Sequence, residues 1–166
     1  MDATVDPAGF VTVDGERFRC ALGRGGLRAD KREGDGATPI GRHRFGRVFW
    51  RPDRIRSSPV TELPRVAITP SMGWCDDPGH PDYNTLITLP HPARHERLWR
   101  DDPVYDVVVE LLYNTDPIVP GRGSAIFMHV ARPGFAPTEG CIALQLNDLL
   151  QILRIANEKD GVIVPG

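Results

Sequence analysis

The chain has 166 residues, enough for one domain with a buried core and too few for two ordinary ones. Apolar residues make up 40% and charged residues 25%, which excludes a disordered chain, and a formal net charge of −2 argues against a basic nucleic-acid surface or an anionic-membrane surface. No stretch approaches the roughly 18 apolar residues of a membrane span.

In chain order, residues 1–9 read as an N-terminal extension and 10–166 as the domain. Phe10 to Val13 and Glu16 to Leu22 alternate in polarity around Asp14-Gly15, a two-residue type I′ hairpin signal. Gly23 to Gly41 is a glycine-rich connection with room for a short strand at Leu27–Lys31. His43 to Trp50 reads as a strand, Arg51 to Pro64 as a polar loop and Val66 to Thr69 as a short strand. Met72 to Pro81 reads as a turn-rich loop, Tyr83 to Leu89 as a strand and His91 to Leu98 as a short helix. The apolar run within Tyr105–Tyr113 predicts a strand buried on both faces. Ile126 to Val130 predicts a strand that ends at a histidine, and Cys141 to Leu144 a short extended segment. Clear helical period occurs once: Leu149, Leu150, Ile152, Leu153 and Ala156 form one stripe, with Asn147 or Asp148 as N-cap and Gly161 beyond the end. Val162 to Val164 closes the chain as a strand. With 17 glycines and 16 prolines, these elements predict one mostly-β domain, a sandwich or partly closed barrel with one main helix near the C-terminus.

Cys20, Cys75 and Cys141 are odd in number and lack framework spacing, so a disulfide scaffold is not expected. Met1 to Asp6 carries no basic and apolar leader pattern. A cytoplasmic location is therefore expected, with a periplasmic one as the alternative if a leader precedes this start. Cys75, His80, His91 and His95 invite a metal reading, but no second cysteine or acidic partner stands at zinc spacing, and no metal is expected. Without a dinucleotide or phosphate-loop pattern, no cofactor is expected either.

The chemistry concentrates near the C-terminus. His129 ends an apolar run, a loop with Pro133, Gly134 and Pro137 turns the chain, and Cys141 follows twelve positions after the histidine. A thiol needs a nearby base to become a nucleophile at neutral pH, and a strand-loop-strand return can supply one. These residues carry a resemblance. Together, His129 and Thr138-Glu139-Gly140-Cys141-Ile142-Ala143 resemble the active-site motif of the YkuD-type L,D-transpeptidase family, a histidine followed by Ser/Thr-His-Gly-Cys-apolar-Arg/Asn. Glu139 stands where the family has a second histidine, and Ala143 where it has Arg or Asn. Upstream, Gly34-Asp35-Gly36-Ala37-Thr38-Pro39-Ile40-Gly41 is similar to the family's G-D-x-x-T-P-x-G segment.

The resemblance implies a cysteine enzyme acting on peptidoglycan stem tetrapeptides or muropeptides, with no nucleic-acid or membrane partner. Cys141 would be the nucleophile and His129 the base, with the Val130 carbonyl fixing the imidazole tautomer. The amides of Gly140 and Cys141 would stabilise the oxyanion. Thr138 would bond the loop or the substrate, and Glu139 would hold a water or an ammonium group. Arg132 and Arg122 would grip a carboxylate, and Tyr83, Asn84 and Trp74 would wall a pocket. Three activities remain open. With water as acceptor the enzyme is an L,D-carboxypeptidase releasing D-alanine from recycled muropeptides, which the absent leader and Glu139 favour. With an amine it is a transpeptidase forming 3-3 cross-links. Without chemistry it is a murein-peptide binding module.

Overall fold

Asp14 and Gly15 take φ angles of 48° and 80°, the paired positive values of a type I′ turn, and Val13 lies opposite Glu16 as the sequence predicts. In the computed structural model, which describes residues 1–166, the strands are β1 (Ala3–Asp6), β2 (Phe10–Val13), β3 (Glu16–Ala21), β4 (Leu27–Arg28), β5 (Thr38–Pro39), β6 (Gly41–Trp50), β7 (Arg65–Ala67), β8 (Met72–Cys75), β9 (Leu86–Thr88), β10 (His95–Arg97), β11 (Val107–Leu111), β12 (Phe127–Val130), β13 (Ile142–Leu144) and β14 (Gly161–Val164). The one α-helix, α1, spans Leu146–Leu153.

The main sheet runs β11-β12-β13-β3-β2-β1-β14-β6-β7, and β11 also pairs with β6. That last pairing closes the first eight strands of this order into a barrel and leaves β7 as an outer addition. Closure depends on the length of β6: its first half pairs with β14, its second with β11 and β7. Closing the sheet removes most of its edges, which would otherwise invite pairing with other chains. The fold is thus mostly β with one helix, in a barrel form.

Two cores lie on the two sides of β11 and β12. Val107, Val109, Ile126, Met128, Ile142 and Leu144 point into the barrel, where Leu149, Ile152 and Leu153 of α1 join them. Each such side chain contributes about 1.5–3 kcal/mol by leaving water. The intervening residues Val108, Phe127 and Cys141 face outward into a second core with Phe49, Trp74, Leu98 and Tyr105. The small sheet β10-β8-β9 lies over this outer face. Burial on both sides explains the apolar run within Tyr105–Tyr113, which reads in the sequence as a doubly buried strand.

Four expectations are corrected. Residues 1–9 are not an extension, because β1 sits inside the barrel between β2 and β14. His91 to Leu98 forms no helix: His95–Arg97 instead pairs antiparallel with β8. Met72–Cys75, expected as loop, is the central strand of that small sheet. The helix begins after Gln145, with no side-chain cap from Asn147 or Asp148. Gly161 does not end it but lies in β14, where a Cβ would run into the His43 carbonyl.

Candidate active site

Parallel pairing of β12 with β13 sets Met128 beside Ile142 and His129 beside Ala143. Strand alternation then puts His129, Ala143 and the preceding Cys141 on the same outward face. His129 and Cys141 line one cleft of about 290 Å³, with Tyr105, Glu96, Arg100, Arg132, Glu33 and Asp76 among its walls.

His129 is 5% exposed. Its Nδ1 lies 3.0 Å from the Val130 carbonyl, which can only accept, so Nδ1 carries the proton and Nε2 keeps its lone pair. Tyr105 meets the imidazole edge-on at a centroid distance of 5.4 Å. Burial holds His129 down to about 4, so the ring is neutral at rest.

The Cys141 thiol donates to the Ala125 carbonyl at 3.2 Å and accepts from the Phe127 N–H at 3.4 Å. Burial, with the Glu96 charge second, pushes it up to about 12. The pair rests as thiol and imidazole rather than as an ion pair. Ala125 is held for this contact by Asn84, whose Oδ1 accepts from the Ala125 N–H at 3.1 Å and from the Trp74 indole at 3.0 Å.

The turn before the thiol is fixed by Thr138. Its hydroxyl donates to the Cys141 carbonyl at 2.6 Å and accepts from the Gly140 N–H at 3.1 Å. Gly140 has φ of 135°, and a Cβ there would stand 2.7 Å from the Ala37 carbonyl. Glycine is required on both counts. This contact also explains the upstream motif. Asp35 accepts from the Ala37 N–H, the Arg32 N–H and Lys31, while Thr38 accepts from the Gly23 N–H. That loop forms the floor beneath Gly140.

Several expected site residues are placed elsewhere. Tyr83 is buried with its hydroxyl between Glu33 and the Gly123 N–H. Trp74 packs edge-on against Phe127 at 5.1 Å, and Asn84 is a buried bracket. None of the three walls the cleft. Arg122 is also outside it, paired with Asp30 at the surface. Gly140 cannot offer its N–H to an oxyanion while Thr138 holds it. Arg132 does line the cleft, as do Thr138 and Glu139. Glu139 is 77% exposed and paired with Arg24 at 2.9 Å, so it stands at the rim. Glu96, Tyr105, Ala125 and Arg24 escaped the sequence reading, because strands far apart in the chain bring them in.

An acidic partner does stand by the histidines: His80, Asp82 and His91 cluster within 4.8 Å. Both rings, however, accept a backbone N–H at Nδ1, from Asp82 and Ala93 respectively. Nε2 is then the protonated nitrogen, and that of His91 donates to Asp82 at 2.9 Å. The cluster is built as a hydrogen-bonded group. Cys75 and His95 lie outside it.

The family model for the YkuD L,D-transpeptidase catalytic domain matches residues 4–164. The chain belongs to this family. No curated protein and no solved structure matched in the corresponding searches. As an L,D-transpeptidase-family protein, it is a peptidoglycan enzyme. Within an L,D-transpeptidase domain, the match places His129, Cys141 and the Gly34–Gly41 segment all inside the matched span.

Proposed function

We propose that this enzyme cleaves the L,D bond between the third residue and D-alanine of a stem tetrapeptide through a thioester on Cys141. The observation that carries the reading is the His129 tautomer: Nδ1–H is fixed on the Val130 carbonyl, which leaves Nε2 as a base in the cleft that also holds Cys141. Substrate entry would displace the thiol from Ala125. The Sγ proton passes to Nε2 as sulfur attacks the carbonyl carbon, and the imidazolium then returns that proton to the departing D-alanine amine. With the Gly140 N–H committed to Thr138, the Cys141 amide is the local donor toward the oxyanion. Arg132 has no carboxylate within ion-pair distance and is the cleft cation suited to a substrate carboxylate.

Water is the preferred acceptor, making the enzyme an L,D-carboxypeptidase. The cleft is at the small end for ligand pockets, a size suited to one peptide rather than two side by side. Glu139 at the rim supplies a carboxylate that can hold the water. Transpeptidation is the second reading, favoured by Glu33, Asp76 and Glu96, a wall that suits an incoming ammonium. Product analysis of a soluble tetrapeptide muropeptide, with and without an added D-amino acid, decides between them. Tripeptide and free D-alanine under both conditions support the carboxypeptidase; exchanged or dimeric product supports the transpeptidase.

A further inference from the structure

Glu96 is a titratable group in the cleft that the proposed reaction leaves unused. It sits on β10 opposite Trp74 of β8 and lines the cleft with Cys141 and His129. Its Oε1 accepts the Tyr105 hydroxyl at 2.6 Å, and the Tyr105 ring is the one that meets His129 edge-on. No lysine or arginine forms an ion pair with it. Of the three cations lining the cleft, Arg100 is paired with Asp102 at 2.7 Å and Lys31 with Asp35 at 2.6 Å, while Arg132 forms no ion pair with Glu96 or any other carboxylate. Asp76 and Glu33 share the cleft and add negative charge.

We propose that Glu96, held by Tyr105, is a positioning residue for the dyad: Cys141 ionises readily only while Glu96 is uncharged. When the Sγ proton moves to Nε2 of His129, a negative charge remains on sulfur. A carboxylate lining the same cleft opposes that charge. Both forms of Glu96 are populated near neutrality. Burial raises it to about 7; Asp76 and Glu33 push the same way, while the Tyr105 bond and Arg100 pull it down. The Glu96 charge is in turn the second cause, after burial, of the raised Cys141 thiol.

The inference rests on Cys141 as nucleophile, but alkylation of the thiol needs no substrate, so the two ideas fail separately. The test is the pH profile of iodoacetamide alkylation at Cys141, read by peptide mass spectrometry on the full chain between about pH 5 and 9, a span centred on Glu96. Glu96→Gln keeps an acceptor for Tyr105 and removes the charge. Alkylation near pH 8 should rise roughly tenfold, the effect of one pK unit in the thiol, and the inflection due to Glu96 should vanish. Tyr105→Phe keeps the ring against His129 and removes the bond that lowers Glu96, so the inflection should move to higher pH. Profiles that superimpose on the parent, or that drop uniformly without a change of shape, would overturn the proposal. If Glu96→Gln does not fold, the direction of the Tyr105→Phe shift decides alone.

Discussion

The hydrogen of the Cys141 thiol points at the carbonyl of Ala125, 3.2 Å away, and not at His129. Ala125 itself takes φ of 53°, an uncommon angle for a residue with a Cβ, and Asn84 pins its N–H. The resting thiol is thus parked on a strained residue that a buried asparagine holds in place. In the proposed reaction the substrate moves the thiol off this carbonyl, which would tie catalysis to the bracket behind it.

Asn84→Ala should therefore damage both stability and activity. It leaves the Trp74 indole and the Ala125 N–H without their acceptor and strands two carbonyls, those of Tyr113 and Asn114. Buried groups stripped of partners lose roughly 1–3 kcal/mol each, and water entering the gap offsets part of it. A fall in unfolding free energy of about 2–4 kcal/mol, with a lower rate at permissive temperature, is expected in denaturant titration and turnover assays.

Gly140→Ala tests the contact between the two motifs. The new Cβ meets the Ala37 carbonyl at 2.7 Å at a φ that side chains rarely adopt. The loop must shift, so activity should fall at least tenfold, and stability by about 1–3 kcal/mol. A variant with parent activity and melting temperature would show that Gly34–Gly41 does not brace the thiol turn.

Acid should weaken the fold through His129. Its folded value, about 4, lies below the ordinary 6.5, because burial disfavours the imidazolium. The unfolded chain therefore binds the extra proton first. The contribution is complete above about pH 6.5 and is lost as pH falls toward 4, amounting to about 3 kcal/mol by linkage. His129→Gln should flatten that part of the stability-against-pH curve. An unchanged slope would place the acid sensitivity elsewhere.

Glu139 and Arg132 separate partition from binding. Glu139→His should shift the ratio of hydrolysis to transfer toward transfer with little change in melting temperature, since the exposed pair with Arg24 is screened by water and contributes little. An unchanged ratio removes Glu139 from acceptor choice. Arg132→Ala should raise KM severalfold, whereas Arg122→Ala, on the surface with Asp30, should leave it unchanged.

Much of the fold was legible because local signals and tertiary needs agreed. Asp14-Gly15 demanded a hairpin, 107–111 demanded burial on both faces, and one helical stripe marked α1. The sequence failed where long-range pairing overrode local pattern. His95–Arg97 is a strand only because Met72–Cys75 lies beside it, and β1 is a barrel strand only because β14 returns from the far end of the chain. At the site, the family-like motif singled out His129 and Cys141, and the structure places both in one cleft. The polar residues Tyr83 and Asn84 looked like pocket walls, yet their hydrogen-bond partners, Glu33 and Ala125, are some 40 to 50 positions away and turn them inward. Glu96 and Tyr105 carried no motif at all.

The central claim is covalent chemistry at Cys141, and intact-protein mass spectrometry tests it most directly. Parent protein quenched during turnover of a soluble tetrapeptide muropeptide should gain the mass of the acyl tripeptide product, mapped to Cys141, while Cys141→Ala gains nothing and releases no D-alanine. Release of D-alanine by Cys141→Ala, or an adduct mapped to Cys20 or Cys75, would contradict the account.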